Sequence, residues 1–347
     1  MNTAYPKSIQ NETELDEVLS RPSPQLVAMM QRLEGDITIL GIAGKIGMTL
    51  GLTAIRAIQA AGVRKKVIGV ARFSEPGSQE HLEKSGIETI PCDLLDCTAV
   101  SKLPQVKNII FMAGRKFGTN GSEELTWAMN VLVPGNVAEH YGSTSRIVAF
   151  STGCVYPLFP VLSGGPTEED IPVPIGEYAQ SCLGRERIFE HYSKIKQTPV
   201  CHFRLNYAID LRYGVLYDIG KKVLAGDPVD LTMGHFNAIW QGDANCQALL
   251  CLEHCSSPAN ILNITGPETI SVQYVANEFS RLLGKKVTFT GEPAANAYLN
   301  NSAKATRLFG YPRVSLNQMI EWTAGWLQSG GRSLNKPTHF EASNGRY

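Results

Sequence analysis

The sequence predicts an α/β protein built on a doubly wound parallel sheet, with a smaller mixed α/β lobe towards the C-terminus. Between residues 36 and 206, short apolar runs of strand length alternate with longer amphipathic stretches. Strands that are apolar along their whole length are typical of parallel sheets covered by helices on both faces. A glycine-rich segment, GIAGKIG at 41–47, directly follows the first apolar run. These observations together predict a sheet that binds a ligand at its edge.

Composition and charge restrict the function classes. The 347 residues are 43% hydrophobic and 18% charged, and 32 basic residues balance 32 acidic ones. A chain without net charge has no global field that would attract nucleic acid or an anionic membrane. The polar, acidic start is unlike a secretory signal, and no apolar run approaches the ~20 residues that span a bilayer. We expect a cytoplasmic protein with a small-molecule partner, without nucleic acid or membrane.

The eight cysteines are scattered without a CxxC pair. Their spacings match no common zinc pattern, so we expect reduced thiols that pack as small hydrophobic groups and no bound metal.

Two short helices are expected within 11–34, ahead of the alternating pattern. Asn11 and Ser23 are suited to cap them, and Leu26, Met29, Met30 and Leu33 form one apolar stripe. We interpret residues 1–35 as a helical N-terminal extension outside the main fold, without a chemical role.

The main domain is expected at 36–206. Its strands are predicted at 37–40, 66–71, 86–94, 106–114, 145–152 and 198–206. Its helices are predicted at 50–62, 78–85, 123–141 and 177–194. Shorter, mixed elements then indicate a substrate-binding lobe at 207–330 that partly returns to the sheet. Residues 331–347 form a polar C-terminal tail that we expect to dock loosely.

The GIAGKIG segment lies between a predicted strand and a predicted helix, which is the context of a dinucleotide-binding turn. Gly41 allows the tight turn, Gly44 lets the backbone approach a pyrophosphate, and Gly47 lets helix and strand pack closely. The N-terminus of the following helix offers N–H groups and a positive dipole to phosphate. The sequence therefore predicts a Rossmann-type domain that binds NAD or NADP.

The end of the second strand bears on the choice between the two cofactors. It reads Val-Ala-Arg-Phe-Ser at 70–74, without an acid at the place where one usually holds the ribose 2′-hydroxyl. Arg72 and Ser74 are suited to a 2′-phosphate instead, which favours NADP over NAD. Asp93, at the exit of the third strand, is placed to contact adenine or to cap the next turn.

Taken in order, the motifs from about 36 to 328 resemble the extended short-chain dehydrogenase/reductase superfamily, in particular its NAD-dependent epimerase/dehydratase group of nucleotide-sugar enzymes. GIAGKIG resembles the glycine fingerprint, and FMAGRKFG (111–118) resembles the segment beneath the cofactor. FSTGCVYP (150–157) resembles the SSxxVYG motif, and EYAQSCLGRER (177–187) the start of the YxxxK helix. The resemblance implies further cofactor contacts, namely Lys45, Ile46, Leu94, Ala113, Gly114, Lys116 and Asn130. It also implies a homodimer formed through the helices at 123–141 and 177–194.

The resemblance implies that Tyr178 is the general acid/base and that Thr152, preceded by Ser151, binds the same substrate oxygen. The lysine expected four residues after the tyrosine is Cys182. Because a free tyrosine has a pKa of about 10 and one nearby cation lowers it by about one to three units, the missing charge matters. Oxidised nicotinamide, Lys116 and Arg185 are possible substitutes, although a contact with the cofactor pyrophosphate is the stronger expectation for Lys116. Arg185 lies two helical turns from Tyr178, so a surface or interface position is the stronger expectation. Cys182 could itself be reactive, although inert packing is its default role.

On the substrate side, Asn206, Tyr207, Arg212 and His235 are candidate contacts, and the loop around Gly118–Gly121 could add to them. RLNYAIDLR (204–212) lacks the Gly-Pro of the family pattern, so a sugar or sugar acid is as plausible a substrate as a nucleotide sugar.

The leading hypothesis is an NAD(P)-dependent oxidoreductase or epimerase that acts on a carbohydrate by hydride transfer. One alternative is a dinucleotide-binding sensor or partner-binding module with little turnover. Another is a dehydratase or lyase, against which stands the presence of Gly153 and Cys154 in place of the Asp-Glu pair of dehydratases.

Overall fold

A central parallel sheet organises the chain. The structure is a computed structural model that describes residues 4–116, 118, 121–142, 144–336, 338–342 and 345. The strands of the sheet are β1 Ile37–Leu40, β2 Val67–Ala71, β3 Glu88–Pro91, β4 Asn108–Phe111, β5 Arg146–Thr152, β6 Val200–Leu205 and β7 Asn260–Ile264. Their order is β7-β6-β5-β4-β1-β2-β3, and neighbouring strands pair in parallel. The order reverses between β1 and β4, which is where open α/β sheets bind ligands at the carboxyl ends of their strands.

Helices cover both faces of this sheet, and others form the C-terminal lobe. In chain order the helices of the described residues are α1 Glu12–Leu19, α2 Pro24–Arg32, α3 Gly47–Ala61, α4 Ser78–Lys84, α5 Cys97–Val100, α6 Glu123–Trp127, α7 Val133–Tyr141, α8 Gly176–Lys196, α9 Val215–Ala225, α10 Gln241–Leu250, α11 Val272–Leu283, α12 Ala303–Phe309 and α13 Leu316–Gln328. On one face Ile39 and Ile110 pack against α2, α3 and α10. On the other, Ile109 and Phe111 pack against α7 and α8. The alternation follows from the two-residue period of a strand, and it confirms the predicted doubly wound α/β class.

The predicted strands and helices of the main domain are confirmed, with one exception. The helix expected over 123–141 consists of α6, a π-helical turn at Ala128–Leu132, and α7. A π turn inserts one residue into the helical ladder and is often found at functional sites. This turn contains the buried Asn130.

The two N-terminal helices belong to the core. Their predicted caps are present, since Asn11 Oδ1 accepts from the Glu14 N–H at 3.0 Å and Ser23 Oγ accepts from the Leu26 N–H at 3.1 Å. The apolar stripe of α2 is buried against the sheet, and Leu15 of α1 lies in the core of the C-terminal lobe. The prediction that residues 1–35 lie outside the main fold is therefore wrong, because an apolar stripe needs a partner surface.

The C-terminal lobe has its own core, formed chiefly by α9, α11 and α13. Four two-stranded ribbons complete the architecture: Phe159–Pro160 with Asn296–Ala297, Ala208–Ile209 with Ile239–Trp240, Val229–Asp230 with Phe289–Thr290, and His235–Phe236 with Ile270–Ser271. As predicted, the lobe returns to the sheet, because it contributes β7. In the part of the chain that the structure describes, no helix has the length and apolarity to cross a membrane.

The C-terminal tail docks on this lobe more firmly than expected. Phe340 is buried in its core. The backbone N–H and hydroxyl of Thr338 donate to Asp218 of α9 at 2.8 and 2.6 Å, and Lys222 pairs with Glu341 at 2.5 Å. The tail therefore forms part of the lobe surface.

We predict that Leu26→Ala lowers the free energy of unfolding by about 2–5 kcal/mol, because it leaves a cavity between α2 and the sheet. Urea denaturation measures this change. The exposed Gln31, in the same helix, provides a control, and Gln31→Ala should stay within about 0.5 kcal/mol of the parent. Equal, small effects of both changes would mean that α2 is not part of the core.

Candidate functional site

Two cavities lie at the carboxyl edge of the sheet, on either side of the point where the strand order reverses. The larger, of about 320 Å³, is lined by the glycine turn and the ends of β2, β3 and β4. The smaller, of about 220 Å³, is lined by the end of β5, the start of α8 and residues of the C-terminal lobe. Met112 and Gly114 line both cavities. The two cavities are therefore adjacent, and together they are called the cleft.

The glycine turn has the geometry that the sequence predicts for a phosphate-binding loop. Gly41 adopts φ +91°, and a Cβ there would lie 2.7 Å from the Ala113 backbone nitrogen. A Cβ on Gly47 would collide with the Ile42 carbonyl. Helix α3 then begins without a side-chain cap, so its N-terminus can face an anion. These features fit the diphosphate of a dinucleotide.

The larger cavity collects most of the residues predicted to bind the adenosine half of a cofactor. Eight residues that were predicted to contact the cofactor line it, namely Gly41, Gly44, Arg72, Ser74, Asp93, Leu94, Ala113 and Gly114. An acid also lines this cavity one residue after Ser74, namely Glu75. Asp93 caps the next turn, since its Oδ1 accepts from the Leu95 N–H at 3.0 Å, and its predicted contact with adenine stays a prediction.

Tyr178 and Thr152 meet in the smaller cavity. Tyr178 lies in the first turn of α8, and Thr152 is the last residue of β5. Their hydroxyl groups are hydrogen-bonded to each other, and Thr152 Oγ1 also accepts from the Cys154 N–H at 3.2 Å. The fold therefore brings the predicted pair together from residues 26 positions apart in the sequence. Both side chains face the cleft.

Tyr178 is a neutral phenol in this environment. Burial raises its pKa well above the ordinary value, and the neighbouring thiols of Cys182 and Cys154 raise it further. The Arg185 guanidinium and the hydrogen bond with Thr152 shift the pKa in the opposite direction. Tyr178 can therefore donate a proton at neutral pH, whereas accepting one requires additional positive charge.

Cys182 is a packing residue. It is buried beside Tyr156, Val155 and Tyr178, and burial raises the pKa of its thiol to about 11. A reactive cysteine needs a lowered pKa and some exposure. The structure therefore supports inert packing for Cys182 rather than a reactive thiolate.

Arg185 is buried, contrary to the expectation that it lies at a surface or interface. Its side chain leans back along α8, as helical side chains do, and lines the smaller cavity. Nη1 donates to the Phe150 carbonyl at 2.8 Å and Nη2 donates to Asn130 Oδ1 at 2.7 Å. A Cβ on Gly114 would overlap this guanidinium. Position 114 must therefore be glycine for Arg185 to occupy its place.

Asn130 positions the loop after β4 through hydrogen bonds and lies outside the lining of the two cavities. Its Oδ1 accepts from the Arg115 N–H at 2.8 Å, and its Nδ2 donates to the Arg115 carbonyl at 3.0 Å and to Ser181 Oγ at 2.9 Å. The predicted cofactor contact is therefore corrected to a residue that fixes the loop after β4.

Ser151 is engaged in a buried polar network that the sequence motifs did not reveal. Its Oγ donates to Glu186 Oε1 at 2.5 Å, and Glu186 forms an ion pair with Arg204 at 2.7 Å. Arg204 donates to the Tyr156 hydroxyl at 2.5 Å, which donates to Asn263 Oδ1 at 3.1 Å. Arg204 and Glu186 are almost inaccessible to solvent, so each satisfies the other's charge. A charged residue within the apolar run of β6 was the available sign of this network.

The predicted substrate contacts divide into two groups. Asn206 and Tyr207 line the smaller cavity. Arg212 does not, because Asp210 and Asp16 bind its guanidinium at 2.8 and 3.0 Å. His235 lines neither cavity, and its backbone pairs with Ser271 in a two-stranded ribbon. The predictions for Arg212 and His235 are therefore corrected.

Three predicted cofactor residues line the smaller cavity instead of the larger, namely Lys45, Ile46 and Lys116. Tyr213, which the sequence motifs did not indicate, lines it as well, with Lys45 Nζ 2.7 Å from its ring centroid. Of the loop at 118–121, Gly118 and Gly121 line neither cavity, and Thr119 and Asn120 lie outside the described residues. Among the described residues, no group of three or more His, Cys, Asp or Glu is arranged to hold a metal ion.

The overall fold is similar to that of solved enzymes that act on nucleotide sugars or bind them. UDP-glucuronic acid 4-epimerase from Bacillus cereus, in complex with UDP-glucuronic acid and NAD, is 21% identical, with a TM-score of 0.69 over 84% of this chain and 99% of its own. UDP-glucose 4-epimerase from Thermotoga maritima is 18% identical, with a TM-score of 0.68 over 85% of this chain and 99% of its own. The chain shares its α/β fold with these two epimerases.

A third structure with a similar fold is MoeE5, solved with UDP-glucose and NAD. It is 18% identical, with a TM-score of 0.66 over 85% of this chain and 99% of its own. No family model matches the sequence, and no curated protein sequence matches it. The fold that the motif resemblance implied is therefore confirmed by structure, at identities too low for sequence comparison to detect.

We predict that Cys182 resists alkylation by iodoacetamide at pH 8 in the folded protein, because its thiol is buried and has a pKa of about 11. Cys97, which is exposed, should react under the same conditions. Mass spectrometry of peptides from the native and the urea-unfolded protein measures both. Native labelling of Cys182 as fast as that of Cys97 would contradict the packing role.

Proposed function

We propose that this chain is an NAD-dependent oxidoreductase or epimerase that acts on a carbohydrate. The observation that carries the proposal is that the glycine-turn cavity lies next to the cavity that holds the Tyr178–Thr152 hydroxyl pair. A dinucleotide extended along this cleft would present its nicotinamide end to the pair. When bound, the nicotinamide supplies hydride transfer to or from a substrate carbon.

The chain's own residues would hold the substrate oxygen and move its proton. Thr152 and Tyr178 can both hydrogen-bond to one carbinol or carbonyl oxygen, since their hydroxyl groups are adjacent. The neutral Tyr178 phenol can donate a proton to that oxygen as a carbonyl is reduced. In the opposite direction Tyr178 must accept the proton, and Arg185 is the resident cation that lowers the pKa of Tyr178. We therefore assign Arg185 the charge that Cys182 does not supply.

Two of the solved relatives contain UDP-glucuronic acid or UDP-glucose together with NAD, which supports a nucleotide-linked or related sugar as substrate. Among the cofactors we favour NAD over the NADP that Arg72 and Ser74 suggested. Glu75 lines the same cavity as Arg72, and its carboxylate can accept hydrogen bonds from ribose hydroxyls while repelling a 2′-phosphate.

The proposal includes a cytoplasmic homodimer formed through α6, α7 and α8. Leu132, in the π turn between α6 and α7, exposes more than half of its surface, and Trp127 at the end of α6 is also exposed. Apolar side chains on this helical surface are suited to pack against the same surface of a second copy.

One observation favours a second candidate function, that of a dinucleotide-binding sensor with little turnover. The buried Tyr178 has a pKa well above its ordinary value. If the charge of Arg185 does not offset this rise in pKa, the protein would still bind the dinucleotide, but Tyr178 could not accept a proton from a substrate hydroxyl. A dehydratase remains disfavoured because Gly153 and Cys154 provide no carboxylates.

We predict that the protein binds NAD about 10-fold or more tightly than NADP, because of Glu75. Isothermal titration calorimetry measures both affinities. Glu75→Gln should narrow this difference, since the amide no longer repels phosphate. Arg72→Gln is the matched variant, and it should widen the difference by weakening NADP binding. Failure to bind either dinucleotide would overturn the proposed function.

We also predict turnover of at least one sugar with NAD, followed through the absorbance of the reduced nicotinamide or, for an epimerase, by product analysis. A panel of neutral, carboxylated and nucleotide-linked sugars is suitable. Tyr178→Phe should lower kcat about 10²- to 10⁴-fold, because it removes the proton donor and acceptor. A Tyr178→Phe variant with full activity would exclude the mechanism. NAD binding without turnover on the panel would support the sensor.

The role of Arg185 is tested in the same assay. Arg185→Met should raise the pKa of Tyr178, so the rising limb of the pH–rate profile for sugar oxidation should move up by about one unit or more. Adding Cys182→Lys to this variant places an ammonium group four residues after Tyr178. This charge should lower the pKa of Tyr178 and return the rising limb towards its position in the parent protein. If the rising limb stays at the same pH in a folded Arg185→Met protein, the role of Arg185 is structural only.

A further inference from the structure

We propose that the smaller cavity recognises an anionic substrate group, a carboxylate on the sugar, through Lys45 and Lys116, which are held together on Tyr213. The inference rests on the proposed function and narrows its substrate class to sugar acids and their nucleotide derivatives.

The charges around the smaller cavity are strongly unbalanced. Four cationic side chains line it, namely Lys45, Arg115, Lys116 and Arg185. Within the described ranges, no Asp or Glu lines it. The chain as a whole has zero formal charge, so this is a local concentration rather than a general excess. A cavity lined in this way attracts an anion electrostatically.

Tyr213 brings the two lysines together at the reaction site. Lys45 Nζ lies 2.7 Å from the centroid of the Tyr213 ring, in a cation–π contact, and the Tyr213 hydroxyl is hydrogen-bonded to Lys116. Lys116 Nζ also lies 5.9 Å from the centroid of the Tyr178 ring. An anion held between the lysines would therefore lie close to Tyr178, at a separation that a single sugar ring can span.

The electrostatic surroundings of Lys45 fit a site that binds an anion. Burial lowers the pKa of Lys45 well below the ordinary lysine value, and repulsion from Lys116 lowers it further. The acids that favour its charge are engaged elsewhere, since Asp210 pairs with Arg212 at 2.8 Å and Asp218 accepts from Thr338 at 2.8 Å. A bound carboxylate would offset the repulsion between the two lysines.

The anion could in principle come from the cofactor or from the substrate. The glycine turn and the uncapped N-terminus of α3 already provide backbone N–H groups for a cofactor diphosphate. Lys45 and Lys116 line the cavity of Tyr178 and not the cavity of Arg72. A diphosphate on the far side of a sugar ring would also lie farther from Tyr178 than a carboxylate carried on the ring. These positions favour the substrate carboxylate.

The test uses matched sugars that differ in one carboxylate. Affinities of the NAD-saturated protein are measured by calorimetry for UDP-glucuronic acid against UDP-glucose, and for glucuronate against glucose. The carboxylated member of at least one pair should bind about 10-fold or more tightly. Lys45→Met and Lys116→Met should each remove most of this preference, and Lys45→Arg should retain part of it. Lys66→Met, a change at an exposed lysine, controls for net charge.

Each other outcome overturns the inference in a recognisable way. Equal affinities within both pairs, or no binding of any of the four sugars, would exclude a carboxylate site. If Lys45→Met and Lys116→Met weaken NAD as strongly as they weaken the sugar acid, the lysines serve the cofactor diphosphate. An absence of NAD binding to the parent protein would instead overturn the proposed function itself. Thermal unfolding of each variant separates lost binding from lost folding.

Discussion

The site depends on the placement of one buried guanidinium. Arg185 connects β5, through the Phe150 carbonyl, to the π turn between α6 and α7, through Asn130. Asn130 in turn fixes the backbone of the loop after β4, which lines both halves of the cleft. Several features follow from this arrangement, because Gly114 must lack a side chain and Asn130 must orient its oxygen towards the arginine. The same group supplies positive charge to Tyr178.

This placement also accounts for Cys182. A lysine at 182 would bring a second cation into the space between Tyr178 and Arg185, and two buried like charges repel strongly. A small, neutral thiol packs against Tyr178 and avoids that repulsion. Under the proposed function, the buried Arg185 supplies the positive charge that Cys182 does not.

Much of the fold and part of the site could be predicted because they depend on local patterns. Apolar runs located β1 and β5, and the glycine spacing located the phosphate loop. The position of Arg185 could not be predicted, since a long side chain can extend to solvent or lean back, and its destination depends on Gly114 and Asn130, far away in the sequence. Arg212 was misassigned for the same reason, because its partner Asp16 lies in a helix nearly 200 positions earlier. Sequence patterns therefore predict helices, strands and turns well, but they do not predict which groups the long charged side chains contact.

The ion pairs of Arg212 have a consequence for the two ends of the chain. Its guanidinium binds Asp16 and Glu12 of α1, and its carbonyl accepts from the Leu334 N–H of the tail at 3.0 Å. Arg332 of the tail also pairs with Glu12 at 3.3 Å. Both termini therefore meet next to the segment that carries Tyr207 and Tyr213 into the cleft. Local unfolding of one terminus removes contacts of the other, so the two ends share a cooperative unit with the substrate side of the site.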